Sequence, residues 1–362
     1  LASKIQPDTL MKILYVSYPM LPVSDASCGG AEQMLWTLER EMARRGHRTA
    51  VAACEGSHVS GQLIPTGGAP TAPDAFETRS DQHCRAVIQA IAEQDFDLVH
   101  DESGFFWSRA GSVSTPLLAT LHLPRTFYDD KSFQHVSPNV SLNCVSRSQA
   151  RTFDNVPQML GVVPNGIALE RFRFEPKKHN YVLWLGRICP EKAPHLAIDA
   201  AERAGVRLIM AGQVYPFSWH LQYFEREIRP RLERADHRVQ WIEAPAFQVK
   251  LELLTGARAL LLPTLAPETS SLVAMEAMAC GTPVIAFPNG AIVEIVRHDI
   301  TGYLVRDTIA MAHAINDLDR LCPGDARAIA EENFSARTMG DGYEAIYERI
   351  VSESLEESSL AA

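Results

Sequence analysis

The sequence predicts an α/β protein built as two successive parallel-sheet units, and three observations carry that expectation. Short apolar runs alternate with amphipathic helical stretches, the pattern of stacked strand-helix-strand units. The alternation occurs twice, with a turn at Val163-Pro164-Asn165-Gly166 and a charged run from Arg171 to Lys178 between the two series. A chain of 362 residues that is 46% hydrophobic can fill two cores.

In the first half the apolar runs predict strands over Lys12 to Ser17, Thr49 to Ala53, Leu98 to Val99, Pro116 to Leu121 and Leu142 to Val145. Between the first two, Ala31, Met34, Leu35, Leu38 and Met42 recur at helical spacing and predict a helix from about Gly30 to Arg45, stopped by Gly46. The stretch from Glu55 to Ala75 is rich in Gly, Pro, Ser and Thr and reads as an excursion, because strand-helix order resumes after it. Residues 1–10 precede a Met11 that opens the first strand and are left out of the expected fold. The second half predicts strands over Tyr181 to Leu185, Arg207 to Met210, Val239 to Ile242, Ala259 to Leu262 and Pro283 to Ala286. A final helix, roughly Ala336 to Ser352, places Met339, Tyr343, Ile346, Tyr347 and Ile350 on one face. The expected divisions are 11–172, 173–335 and a terminal helical segment 336–362.

Composition excludes several classes. With 34 basic against 44 acidic residues and a net charge of -10, the chain is a poor polyanion binder, so nucleic acid is not an expected partner. Seven cysteines stand at 28, 54, 84, 144, 189, 280 and 322 without a C-x2-C pair, which suits reduced thiols of a cytoplasmic protein. No apolar run approaches the roughly 20 residues of a membrane span, which leaves at most peripheral membrane contact. There is no H-E-x-x-H, nucleophile elbow or Walker loop, and Asp95-Phe96-Asp97 and Asp317-Leu318-Asp319 lie where a metal site is not expected, the first leading into a strand and the second in a helix.

Four short elements carry chemistry. From Pro267 to Ala286 runs PETSSLVAMEAMACGTPVIA, in which Ser270 and Ser271 suit an N-cap and Leu272 to Cys280 a helix stopped by Gly281 and Pro283. Glu268 then precedes the helix and Glu276 lies inside it, roughly 7.5 Å along the axis from Ser271, about the span of a diphosphate with its nearer sugars. The backbone N–H groups near Leu272 and Val273 suit an anion. Gly186-Arg187 and Glu191-Lys192 follow a strand, and the Arg fork and Lys charge can neutralise a diphosphate without a metal. In Cys28-Gly29-Gly30-Ala31-Glu32, two glycines before a helix allow close backbone approach to an anion, with Cys28 a bystander. His122 ends a predicted strand, where an imidazole can donate to developing charge or hold a hydroxyl. Taken singly, each of these elements is more often a turn, a cap or a solvated charge.

Together, and in this order, they resemble the retaining glycosyltransferases of family 4, from Met11 to the last helix. The run LGRICPEKAPHLAIDAAERAG is most similar to the avilamycin-type tailoring branch. Two departures stand out: Ser271 replaces a usual glycine after the first glutamate, and Ala193 replaces a usual glycine after the lysine. The resemblance implies a GT-B fold, two Rossmann-like domains facing a cleft, with an N-terminal acceptor-binding domain, a C-terminal nucleotide-sugar domain and the last helix crossing back. It implies catalytic roles for Glu268, His122, Arg187 and Lys192. It implies donor binding by Gly29, Gly30, Glu276, Ser270, Ser271, Leu272, Val273, Gly212, Ile242 and Glu243, the last against the base, and acceptor-side placement of His100, Asp101 and Glu102.

The expected activity is retaining transfer from a nucleoside-diphosphate sugar, with UDP or GDP, to a hydroxyl of a small-molecule, glycan or lipid-linked acceptor. No cofactor or metal is expected. A nucleotide-sugar epimerase of the same fold, or a silent sugar-nucleotide binding module, would share these residues and differ in turnover.

Overall fold

The computed structural model describes residues 10–27, 29–69 and 76–361. The chain divides into two compact units: one runs to Gly166 and takes in the helix that begins at Ala336, and the other is Ile167–Ser335.

The first unit holds seven parallel strands: β1 (Lys12–Val16), β2 (Arg48–Ala53), β3 (Gln62–Pro65), β4 (Leu98–Asp101), β5 (Leu117–Leu121), β6 (Val140–Cys144) and β7 (Met159–Val162), in the order β3-β2-β1-β4-β5-β6-β7. Its central strands are apolar on both faces, as a covered parallel sheet requires, and Ile13, Leu14, Tyr15 and Val16 are fully buried. The helix Gly30–Arg44 buries Met34, Leu35, Leu38 and Met42. The order reverses between β1 and β4, and the register pairs Val16 with Asp101. The loops behind these strands therefore leave from one edge of the sheet at its switch point, the place where such sheets bind ligands.

The second unit holds β8 (Val182–Leu185), β9 (Leu208–Gly212), β10 (Val239–Glu243), β11 (Leu260–Leu262), β12 (Val284–Ala286) and β13 (Gly302–Leu304), in the order β10-β9-β8-β11-β12-β13 and again parallel. Trp184, Leu183, Leu260 and Met278 lie in its two buried layers. Here the order reverses at β8, and the loops behind β8 and β11 carry the sequence motifs.

Three strands escape the apolar-run rule. The edge strand β3 ends on Pro65 within the polar excursion, and an edge strand tolerates a proline. Strand β7 is only half buried and contains Gly161, while β13 has three residues and begins with a glycine pressed against Val284. Strand β4 continues past Val99 through the fully buried His100 and Asp101, which no hydrophobic pattern signals.

The division after residue 172 is corrected to Gly166, because Ile167 and Phe172 belong to the second unit's core and the Ile167 N–H donates to Phe334 O at 2.8 Å. The last helix, Ala336–Ala361, runs beyond Ser352 and buries Met339, Tyr343, Tyr347 and Ile350, with Ile346 only half buried. It is fastened by Arg45, whose guanidinium meets Glu344 Oε2 at 2.6 Å, Asp341 Oδ1 at 2.7 Å and Arg337 O at 2.9 Å.

Candidate active site

Two groups of residues stand at the strand ends, one in each unit. In the second unit, β8 gives way at Leu185 to the loop bearing Arg187 and Lys192. Gly212, at the end of β9, lies so close that a Cβ there would fall 1.8 Å from Gly186 O. Ala193 closes the loop in left-handed backbone (φ 46, ψ 50), with its N–H donating to Cys189 O at 3.1 Å. An L-residue bears a cost of about 1–2 kcal/mol there, which accounts for the usual glycine.

Lys192 Nζ lies 2.5 Å from Glu268 Oε1. Glu268 is placed by its backbone, since its carbonyl accepts from Ala291 N–H at 2.7 Å and its neighbour across an isolated bridge is Gly290. A side chain at Gly290 (φ 63) would sit 2.2 Å from Glu268 O, so this glycine sets the approach of the two loops. Arg187 is exposed, its guanidinium 5.9 Å from the Tyr215 ring centroid.

The helix Leu272–Ala279 starts as expected after Ser271, yet the serine cap does not form. Ser271 makes no capping hydrogen bond, and Ser270 Oγ is buried without a partner among the described residues. The amides of Leu272 and Val273 open the helix at a start that its own N-cap residue does not cap, which suits an external anion. Glu276, 2% exposed, is met by Lys250 Nζ at 2.6 Å from Oε1, whereas Oε2 is buried with no partner among the described residues. A buried carboxylate oxygen without a donor is costly, and vicinal hydroxyls are donors of the right kind. Ile242 is half buried and Glu243 exposed at the end of β10.

In the first unit, Gly29 precedes the helix Gly30–Arg44 without a side-chain cap. Glu32 folds its carboxylate over that glycine, where an added Cβ would meet Oε2 at 1.9 Å, and burial raises its carboxyl above the usual range. Cys28 lies outside the described residues. His122 follows β5 directly, with Nε2 2.5 Å from Glu102 Oε2.

The acceptor-side placement of His100 and Asp101 is corrected. Both are fully buried within β4. His100 Nδ1 is 2.6 Å from Tyr347 Oη, and Nε2 is 2.7 Å from Thr120 Oγ1. Asp101 accepts from the N–H groups of Ser103 and Trp107, each at 2.8 Å, and so shapes the turn behind β4. Glu102, expected on the acceptor side as well, is 2% exposed and has a histidine on either side.

Sequence reasoning passed over Lys250 and Gly290. Lys250 belongs to no motif, and only the packing of the helix Phe247–Gly256 near the helix Leu272–Ala279 brings it to Glu276. Cys189, Glu191 and His220 bring potential ligand atoms within 4.8 Å of one another, in the loop between Arg187 and Lys192 and in the segment after β9. The first aspartate pair is structural in part: Asp97 Oδ2 accepts from Lys12 N–H at 2.6 Å. Asp317 follows the helix Thr308–Asn316 rather than lying within it.

The buried imidazoles give a pH signature. Burial pushes His83 and His100 down to about 4. Unfolded histidine binds protons below about 6.5, so stability falls as pH drops from there toward 4, by roughly 3 kcal/mol per ring. Asp101, which burial pushes up to about 6, acts in the opposite sense, losing its contribution as pH rises from about 4 to 6. Glu32 acts in the sense of Asp101, whereas burial also lowers His195 and His220, so four lowered imidazoles outweigh two raised carboxyls and the urea midpoint should decline between pH 6.5 and 4.5. A flat midpoint over that window would contradict the burial of these rings.

The description "Glycosyl transferases group 1" matches residues 168–331, and "Glycosyltransferase Family 4" matches residues 28–171. The chain has the GT-B fold. Each half of the chain is thus matched by a glycosyltransferase family description. It is 33% identical over 219 residues to D-inositol 3-phosphate glycosyltransferases of Mycobacterium bovis and Mycobacterium tuberculosis, a match covering 54% of this chain and 45% of the relative. It therefore spans about half the length of the curated relatives it matches. Among solved structures, AviGT4, a glycosyltransferase involved in avilamycin A biosynthesis, aligns with TM-score 0.72 and 22% identity over 94% of this chain and 98% of that one. HepE of Anabaena in complex with UDP and glucose aligns with TM-score 0.73 and 20% identity, covering 94% and 100% of the two chains. Sucrose-phosphate synthase of Thermosynechococcus elongatus aligns with TM-score 0.77 and 20% identity, covering 95% and 100%. At these identities the likeness establishes the fold. Among the described residues, no helix is long and apolar enough to cross a membrane.

Proposed function

We propose that this chain transfers a sugar from a nucleoside-diphosphate sugar, carrying UDP or GDP, to an acceptor hydroxyl, with retained anomeric configuration and without a metal. The observation that carries this is Glu276, a buried carboxylate with one oxygen on Lys250 and the other unpartnered among the described residues, one helix away from the Lys192–Glu268 pair. Glu276 Oε2 accepts from ribose hydroxyls, Glu268 holds hydroxyls of the transferred sugar, and Arg187 with Lys192 takes the diphosphate. The amides of Leu272 and Val273 add donors to the phosphates.

The chemistry is departure of a diphosphate from an oxocarbenium-like sugar. Cations fixed before the reaction stabilise the growing charge without reorganising, which makes electrostatics the main catalytic contribution. His122 contributes at the sugar. A phosphate oxygen of the donor takes the acceptor proton. The curated relatives are named D-inositol 3-phosphate glycosyltransferases, and the HepE structure holds UDP and glucose, which supports a sugar nucleotide as donor. We place the chain in the avilamycin-type branch on its run from Leu185 to Gly205.

The test is thermal stabilisation by a panel of UDP, GDP, ADP and TDP sugars, with and without EDTA, because a ligand that binds the native state raises its apparent stability. Selective stabilisation by one nucleotide that survives EDTA is expected. Loss of the effect in EDTA would replace the metal-free mechanism and point to Cys189, Glu191 and His220. No response to any member would remove the donor assignment. Binding without turnover would leave a silent module, and an altered sugar nucleotide formed without acceptor would mark an epimerase.

A further inference from the structure

His122 and Glu102 are joined more tightly than a sugar-contacting histidine requires. Glu102 follows β4 and His122 follows β5, and the pairing of Asp101 with Ala119 sets the two strands side by side. Glu102 Oε2 lies 2.5 Å from His122 Nε2, whereas Oε1, 3.0 Å from His100 Nε2, has no hydrogen-bond partner among the described residues. The Glu102 side chain is 1% exposed, against 13% for His122. Behind it, His100 is fixed by Thr120 and by Tyr347 of the last helix, and Tyr343 Oη stands 3.1 Å from Thr120 Oγ1. Burial alone would raise the Glu102 carboxyl, but His100 and His122 outweigh it and hold it below the usual range. The group is therefore a carboxylate, which accepts hydrogen bonds and cannot donate them.

A carboxylate on Nε2 obliges that nitrogen to carry the hydrogen. We propose that Glu102 is a positioning residue that fixes His122 as the Nε2–H tautomer and fixes its ring plane, with His100, itself set by Tyr347 and Thr120, packed behind it. Which ring nitrogen bears the proton decides whether Nδ1 accepts or donates, so Glu102 sets what that nitrogen of His122 can do. The step to turnover rests on the proposed sugar-contacting role of His122; the tautomer does not.

The experiment is nitrogen NMR of the full chain labelled with ¹⁵N-histidine, with the His122 signals assigned by their loss in His122→Gln. Neutral His122 is expected as the Nε2–H form in the unaltered protein and as a mixture in Glu102→Gln, which keeps the shape but can donate as well as accept. Hydrolysis of UDP-glucose should fall about 10- to 100-fold in kcat in Glu102→Gln with KM little changed, the scale seen when a partner that orients a functional imidazole is lost. Glu102→Asp should restore the tautomer in part. An Nδ1–H form in the unaltered protein, or an unchanged tautomer in Glu102→Gln, overturns the proposal. The first of these needs no variant to fold. An Nε2–H tautomer together with undiminished turnover in His122→Gln supports the positioning while ending the sugar-contacting role.

Discussion

Lys192→Ala is expected to lower turnover of the stabilising nucleotide sugar by about 100-fold or more, on the order of 3 kcal/mol, the scale of losing one fixed charge-stabilising donor. Two consequences combine. The diphosphate loses a cation as its charge develops, and Glu268, whose Oε1 stands 2.5 Å from Lys192 Nζ, loses the partner that orients it. Both groups are only partly buried, at 32% and 14% exposure, so the pair itself adds little to folding and the loss should fall on kcat. Lys192→Arg retains charge but replaces a compact ammonium with a planar fork, and should recover only part of the rate. Single-turnover kinetics beside urea unfolding separates the two effects. A variant with unchanged kcat and a raised KM alone would show that Lys192 binds donor and transition state equally, and would end its role in stabilising the leaving diphosphate.

The pair formed by Lys250 and Glu276 predicts a different outcome, in stability. Their side chains are 13% and 2% exposed with Nζ and Oε1 at 2.6 Å, so removing one partner strands a buried charge. Lys250→Met should cost about 3 kcal/mol in urea unfolding, and the double variant Lys250→Met, Glu276→Gln should regain most of it, because losing both charges is far less costly than leaving one. Glu276→Gln also presents an amide where ribose hydroxyls need an acceptor, so nucleotide stabilisation should weaken in the double variant although folding is restored. Additive losses in the two single variants would mean that the charges are not coupled.

Much of the fold and of the arrangement of the motif residues was legible in the sequence because it is local. The helix Gly30–Arg44, the helix Leu272–Ala279 and most of the strands between them, though not β3 or β7, follow from the spacing of apolar residues and from Gly46 and Gly281. Residues 187 and 192 lie together on one loop, and the pairing of Lys192 with Glu268 is allowed by β8 and β11 being neighbours. What escaped is tertiary. Lys250 reaches Glu276 only through helix packing, and Gly290 matters only because Glu268 O passes beside it. His100, Asp101 and Glu102 looked like acceptor residues since polar residues at strand ends are commonly open. Their burial depends on partners such as Tyr347, 247 positions from His100 along the chain. The missing Ser271 cap has the same lesson, because a good capping residue marks where a helix starts without determining what its first amides meet.

The last helix gives the first unit an unusual assembly history. Its hydroxyls at Tyr343 and Tyr347 complete the hydrogen bonding of Thr120, Asn143 and His100, yet they leave the ribosome only after the whole of Ile167–Ser335 has been made. During synthesis the second unit can fold as an uninterrupted segment, while the earlier-made sheet waits with an open polar seam and uncovered apolar surface. At roughly 5–20 residues per second that wait lasts on the order of ten seconds or more. The part of the protein made first is thus finished last, and chaperone dependence should concentrate on nascent chains that lack the terminal helix.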